Sequence, residues 1–291
     1  MAYLVRSPGS CGEFIQGYAR GSSFMVTCPI DRYATAWVDE EKGSSLPVKA
    51  DLALRQTLTY LGEKEISETV HLSSDIPKGK GLASSTADIS AIAQAVALSR
   101  GRKLSAEEIA HIALSIEPSD ATFFEGIVQF DYRHGKLIRP LGLCPAMDIL
   151  IYDLGGEVDT MTFNSRADLV ALQKENEKEI QKALTLFEKG LASQSVKDIG
   201  EAATISAFCN QKILYKKQLE PFYRLGTQIG GQGVICAHSG TVLGLIIPTD
   251  REDAAIREEL EEKVENITFL DRVSLTNKGM EIRQAVKGVA V

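Results

Sequence analysis

Apolar residues recur at Ile89, Ile92, Ala93 and Val96, the i, i+3, i+4, i+7 spacing of one helical face, directly after a stretch of small and polar residues. The pattern predicts a helix that starts at the serines Ser84 and Ser85, with Ser85 and Asp88 in the S-x-x-D form of a side-chain N-cap. A second helix is predicted to open at Ser105, where Glu108 completes a capping box and Ile109, Ile112, Ala113 and Ile116 form one apolar face. After Leu154-Gly155-Gly156 the period lengthens. Helical stretches run from about Ser165 to Leu191, with Ile180, Ala183, Leu184 and Phe187 in phase, from Ser195 to Gln211, and near Glu252 to Lys263. Runs rich in β-formers lie at Phe24–Val38, Val70–Ser73, Gly126–Asp131, Met147–Tyr152 and Ile267–Val273, with a glycine-containing hairpin over Gly233–Ile246. No internal repeat or low-complexity linker interrupts them. The change of pattern near Gly155 predicts an α+β protein of two parts, residues 1–154 and 155–291, meeting at a cleft.

The chain of 291 residues is long enough for two domains, and 44% hydrophobic with 24% charged residues is a soluble globular profile. A net charge of −7 argues against nucleic acid or an anionic membrane as the main partner. No run approaches the ~18 apolar residues of a membrane span, and the N-terminus lacks a charged-then-apolar leader, so a cytoplasmic protein is expected. Five widely spaced cysteines (Cys11, Cys28, Cys144, Cys209, Cys236) without C-x-x-C imply neither a disulfide frame nor a structural zinc site. His71, His111, His134 and His238 show no metal-ligand spacing.

Two segments carry candidate chemistry. In Pro77-Lys78-Gly79-Lys80-Gly81-Leu82-Ala83 the small positions let backbone amides approach a ligand and the lysines add charge, while Ser84, Ser85 and Thr86 bring hydroxyls to a helix N-terminus. Such an end favours anions by roughly 0.3–1 kcal/mol when exposed and up to ~2 when partly buried. This is not the G-x-x-x-x-G-K-[ST] P-loop, and a solvent loop before a capped helix has the same local form. In Ser115-Ile116-Glu117-Pro118-Ser119-Asp120, Pro118 disfavours helical geometry at Glu117 and leaves that carboxylate at a helix C-terminus. The position is unfavourable by roughly 0.3–1 kcal/mol and calls for a compensating cation or hydrogen-bond donor, unless Glu117 is simply solvated.

Pro77, Gly81, Leu82, Ser84, Ser85 and Ala87 match a P-x-x-x-G-L-x-S-S-x-A signature, and through it the chain resembles the GHMP kinases, the family of galactokinase, homoserine kinase, mevalonate kinase and phosphomevalonate kinase. Ala83 and Thr86 depart from its commonest form, but both are small. SPGSCGEFIQG (Ser7–Gly17) is similar to the family's N-terminal glycine element and GVICAHSGTVLGLI (Gly233–Ile246) to its C-terminal one, in the expected order. The resemblance implies a two-domain fold, a ribosomal protein S5 domain 2-like ATP-binding N-terminal domain with an α/β C-terminal domain and the active site in the cleft. It also implies ATP and Mg²⁺, with residues Pro77 to Thr86 around the phosphates, Ser85 and Glu117 (with Ser84 as the alternative hydroxyl) on the metal, and Asp120 as acceptor of the substrate proton. Asp120 also fits an Asx-type turn cap.

Ser10 stands where mevalonate-type members carry a lysine, which points away from mevalonate. SPGSCGEFIQG, VTCPID (Val26–Asp31), IEPSDATFFEG (Ile116–Gly126) and AHSGT together resemble the branch that phosphorylates the side-chain hydroxyl of L-threonine for the aminopropanol linker of cobalamin. For an amino-acid substrate, Glu13 is the candidate for the ammonium and Thr27 and Cys28 for the pocket wall, against readings as a surface charge and interior strand residues. Ser239 and Gly240 are expected in a turn close to the ligand. His238 is expected to be an ordinary loop histidine and Asp31 a local hydrogen-bonding residue. The rival readings are a homoserine kinase and a non-catalytic metabolite sensor on the same fold.

Overall fold

A computed structural model describes residues 3–41, 43, 45–158, 162–163 and 165–284. The β-rich run ending at Val38 is one arm of a long hairpin. β1 (Tyr3–Ala19) and β2 (Ser22–Asp39) pair antiparallel, with register shifts at Pro8/Gly9, Ser10/Glu13 and Glu13/Ile15. These irregularities coincide with the glycines that disguise β1 as loop in the sequence, and bulges of this kind redirect side chains.

The hairpin sits in a ten-stranded sheet with β3 (Thr69–Ser74), β4 (Ile127–Asp131), β5 (Lys136–Gly142), β6 (Asp148–Asp153), β7 (Gly233–Cys236), β8 (Val242–Ile247), β9 (Thr268–Ser274) and β10 (Glu281–Gln284). The order is β5-β4-β2-β1-β7-β8-β6-β9, with β3 also on β2 and β10 also on β1. Every pairing between these strands is antiparallel. The sheet therefore runs through both parts of the chain, joined where β1 meets β7 at Glu13 and Cys236, where β10 pairs with Tyr3–Arg6 of β1, and at the bridge between Ile30 and Leu275.

Eight helices accompany it among the described residues: α1 (Val48–Leu61), α2 (Ser84–Ser99), α3 (Ala106–Leu114), α4 (Leu169–Glu175), α5 (Glu177–Ser193), α6 (Val196–Asn210), α7 (Leu219–Gln228) and α8 (Ala254–Lys263). The predicted capping box of α3 is present, Ser105 Oγ accepting from Glu108 N–H at 3.2 Å and Glu108 Oε2 from Ser105 N–H at 2.8 Å. The single helix expected from Ser165 to Leu191 is instead two, because the buried Asn176 leaves helical geometry and gives its side-chain amide to the Cys209 carbonyl at 3.0 Å.

Residues Thr86 to Ala97 of α2 are buried all round, packed on β1, β2 and α1. One core joins Phe14, Ile89 and Ile92 to Ile180, Leu184, Phe187, Ile199 and Ile246, and the Phe14 and Phe187 rings lie 5.1 Å apart. A second surrounds Tyr152, whose ring meets Phe222 and Phe269 at 5.2 and 5.5 Å. No helix among the described residues is long and apolar enough to cross a membrane. The five cysteines are free thiols, four of them buried.

Candidate active site

β3 delivers the chain to the glycine loop, and α2 leaves it. Ala83 takes the N-cap place of α2 with φ 55 and ψ 27 and without a side-chain cap bond, so the expected Ser85–Asp88 cap does not form. Ser85 instead lies in the first turn and donates its hydroxyl to Glu117 Oε1, while Asp88 turns into the cleft. The first intrahelical bond runs from Ala87 N–H to Ala83 O at 2.9 Å. The amides of Ser84, Ser85 and Thr86 are thus left at the positive end of the helix, beside the cleft.

Neighbouring elements pin the loop. Ser10 N–H donates to Leu82 O and Thr241 N–H to Lys80 O, both at 3.0 Å. Lys80 pairs with Asp153 at 2.8 Å and reaches Gly156 O at 3.1 Å, so its charge holds the loop in place, whereas Lys78 lines the cleft. Gly81 has φ +85, and a Cβ on Gly240 would stand 2.5 Å from Gly81 Cα, so the 237–241 turn rests directly on the loop. Ser239 from that turn reaches the cleft; Pro77 is exposed outside its lining.

The cleft encloses about 600 Å³ and its floor is acidic. Glu117, 5% exposed just past α3, takes the Ser85 hydroxyl on one oxygen and the Lys49 ammonium on the other at 2.5 Å. The compensation that its helix-end position demands is therefore made twice, by a donor and by a cation. Asp120 lies beside it, with its N–H donated to Thr86 Oγ1 at 3.2 Å. Burial, and then the charges of Glu13 and Glu117, push the Asp120 carboxyl up to about 8. Burial also pushes the Asp88 carboxyl up to about 6, against the opposing pull of Lys78 and the Ser74 hydroxyl. Asp88 Oδ1 is buried without a hydrogen-bond partner.

Glu13 reaches the same cleft from the irregular part of β1. Its Oε2 accepts from His238 N–H at 2.9 Å and faces His238 Nδ1 at 3.0 Å. Nδ1 also faces Cys236 O at 3.0 Å, and with an acceptor on both contacts it must carry the ring proton. Nε2 meets Ser206 Oγ at 3.0 Å, and that oxygen accepts Gln16 N–H at 3.0 Å. His238 lies in the turn after β7, as expected, but it is not an ordinary loop histidine. It is 3% exposed and orients Glu13, leaving Oε1 without a hydrogen-bond partner among the described residues.

Thr27, under the Asp120 segment, accepts Ala121 N–H on Oγ1 at 3.4 Å. Cys28 belongs to the hydrophobic core instead of the cleft lining, and burial raises its thiol well above the usual range. Asp31 pairs locally with Arg32 at 3.1 Å, as expected, but it also accepts Ser274 N–H at 2.9 Å from 243 positions away, a long-range contact that the local reading did not foresee. Lys49 and Glu157 are cleft residues with no motif to announce them. The α1 helix that carries Lys49 did have a signal: Pro47 precedes Ala50, Ala53, Thr57 and Leu58 at helical spacing, and all four are buried.

The oxygens that converge here suit a hard divalent cation. Glu117 and Ser85 offer a carboxylate and a hydroxyl side by side, and the described residues contain no group of three or more His, Cys, Asp and Glu side chains built to hold a metal alone. Mg²⁺ commonly takes one or two protein ligands and completes its shell with phosphate oxygens and water.

Residues 46–125 match the profile of the GHMP kinases N terminal domain. The chain is 32% identical over 256 residues to an L-threonine kinase of Citrobacter freundii, covering 86% of this chain and 88% of that one. It is also 32% identical over 271 residues to an L-threonine kinase of Salmonella typhimurium, covering 89% and 88%. Among solved structures, Methanococcus jannaschii mevalonate kinase superposes with a TM-score of 0.69 at 16% identity, covering 94% of this chain and 98% of that one. MDDEF in complex with MVAPP, AMPPCP and magnesium superposes with a TM-score of 0.71 at 13% identity, covering 98% and 99%.

Proposed function

The chain belongs to the GHMP kinases and is an ATP-dependent small-molecule kinase; we propose that its acceptor is the side-chain hydroxyl of L-threonine and its product L-threonine O-3-phosphate. The observation that carries this reading is the convergence of Ser85, Glu117, Asp120 and Glu13 on one cleft at the open end of α2. The two L-threonine kinases at 32% identity support the choice of acceptor, and the ATP-analogue and magnesium named for the MDDEF complex support nucleotide and metal.

In the proposed reaction the amides of Ser84, Ser85 and Thr86, with Lys78, receive the phosphates. Ser85 and Glu117 would hold Mg²⁺, which when bound neutralises phosphate charge. Glu13 Oε1 takes the substrate ammonium, its other oxygen being fixed by His238, and Ser239 closes over the small amino acid. Thr27 supports the Asp120 segment from below. Asp120 accepts the hydroxyl proton as the oxygen attacks the γ-phosphorus in line, and ADP leaves without a covalent enzyme intermediate. The division at 154/155 is read as two lobes, one carrying the phosphate loop and the other the turn with Ser239. A place in cobalamin linker synthesis and a cytoplasmic location are further parts of the proposal.

The test is Mg²⁺-dependent ADP release with L-threonine, L-homoserine, L-serine and mevalonate side by side, with the product identified. A marked preference for L-threonine is expected. Preference for homoserine or mevalonate would discard the acceptor but keep the kinase, whereas ATP binding without turnover on any of them would favour a metabolite sensor.

A further inference from the structure

Five acidic side chains (Glu13, Asp88, Glu117, Asp120, Glu157) line the cleft against two lysines, Lys49 and Lys78. A triphosphate entering such a site meets repulsion, which a bound metal would offset in part and a protein cation at the terminal phosphoryl group would offset further. Lys78 is exposed on the loop and Lys80 is committed to Asp153. Lys49 is placed differently: from the first turn of α1 its ammonium touches Glu117 Oε2, on the carboxylate that also takes the Ser85 hydroxyl. The Lys49 side chain is 47% exposed while that of Glu117 is 4% exposed, so the lysine can withdraw without disturbing the core and the glutamate cannot.

We propose that Lys49 is a two-position cation. In the free protein it neutralises buried Glu117; when the metal-nucleotide complex claims that carboxylate, the ammonium moves onto the γ-phosphoryl oxygens and stabilises the charge of the transferring group. The inference rests on the kinase reading. It assigns a catalytic role to a residue outside the phosphate loop and helps to explain how an acidic floor accepts a polyanion.

The test compares binding of Mg²⁺-ADP and a non-hydrolysable Mg²⁺-ATP analogue by calorimetry in the wild type, Lys49→Met and Lys49→Arg. Lys49→Met should weaken the ATP analogue roughly tenfold or more and leave ADP within about twofold, with Lys49→Arg keeping most of the difference. Equal losses for both nucleotides would mean that Lys49 only shapes the site, and no loss for either would mean that it never reaches the phosphate; both overturn the inference while the kinase reading stands. Failure of the wild type to bind either nucleotide would overturn that reading itself, and the inference with it. If Lys49→Met does not fold, Lys49→Gln, which keeps a donor for Glu117 and removes the charge, is held to the same criterion.

Discussion

Asp120 has a carboxyl pushed up to about 8, and only its ionised form can accept a proton from a substrate hydroxyl. If it is the base, kcat/KM should rise with pH up to about 8 and level off above, and Asp120→Asn should lose that limb together with roughly 10²–10⁴ of the rate. Stability runs in the opposite sense. An acid whose folded pKa lies above its unfolded value of 3.8 stabilises the folded state most below about 4, and this contribution is lost as pH rises toward 8. Asp120→Asn should therefore raise the thermal midpoint at pH 8 to 9 relative to wild type while it lowers turnover. A variant equally active and no more stable would remove both the base and the buried-charge assignments.

At the scale of elements, α2 and α3 show two ways to begin a helix. α3 closes its own N-terminus with the Ser105–Glu108 box, a local interaction that any surrounding fold would leave intact. Ser105→Ala should cost about 1 kcal/mol in denaturant unfolding with no change in nucleotide affinity. An equal loss of nucleotide affinity would mean that the start of α3 is coupled to the cleft. α2 carries the serine and aspartate of a capped helix but uses them elsewhere, Ser85 on Glu117 and Asp88 on the cleft, which leaves its amides open to a ligand.

For the whole molecule, the sheet and its main core cross the point where the sequence changes character. Among the described residues β6, ahead of Gly155, pairs with β8 and β9, which follow it, and Phe14 of β1 packs on Phe187 of α5. Thermal unfolding should accordingly appear as one cooperative calorimetric transition, with calorimetric and van't Hoff enthalpies in agreement. Two resolved transitions would mean that the two parts hold separate cores.

Features with a local cause are legible along the chain: the helical phase of α2 and α3, the capping box, the run of small residues at 77–86 and the proline that ends the helix before Glu117. Spacing and backbone chemistry act over a few residues, so they can be read along the chain. Which partners those residues meet depends on the folded arrangement. Lys49 reaches Glu117 across 68 positions and His238 reaches Glu13 across 225, contacts that no local pattern encodes. The raised Asp120 carboxyl has the same origin: it follows from burial beside two carboxylates, one on β1 and one at the end of α3, which folding alone brings into one cleft.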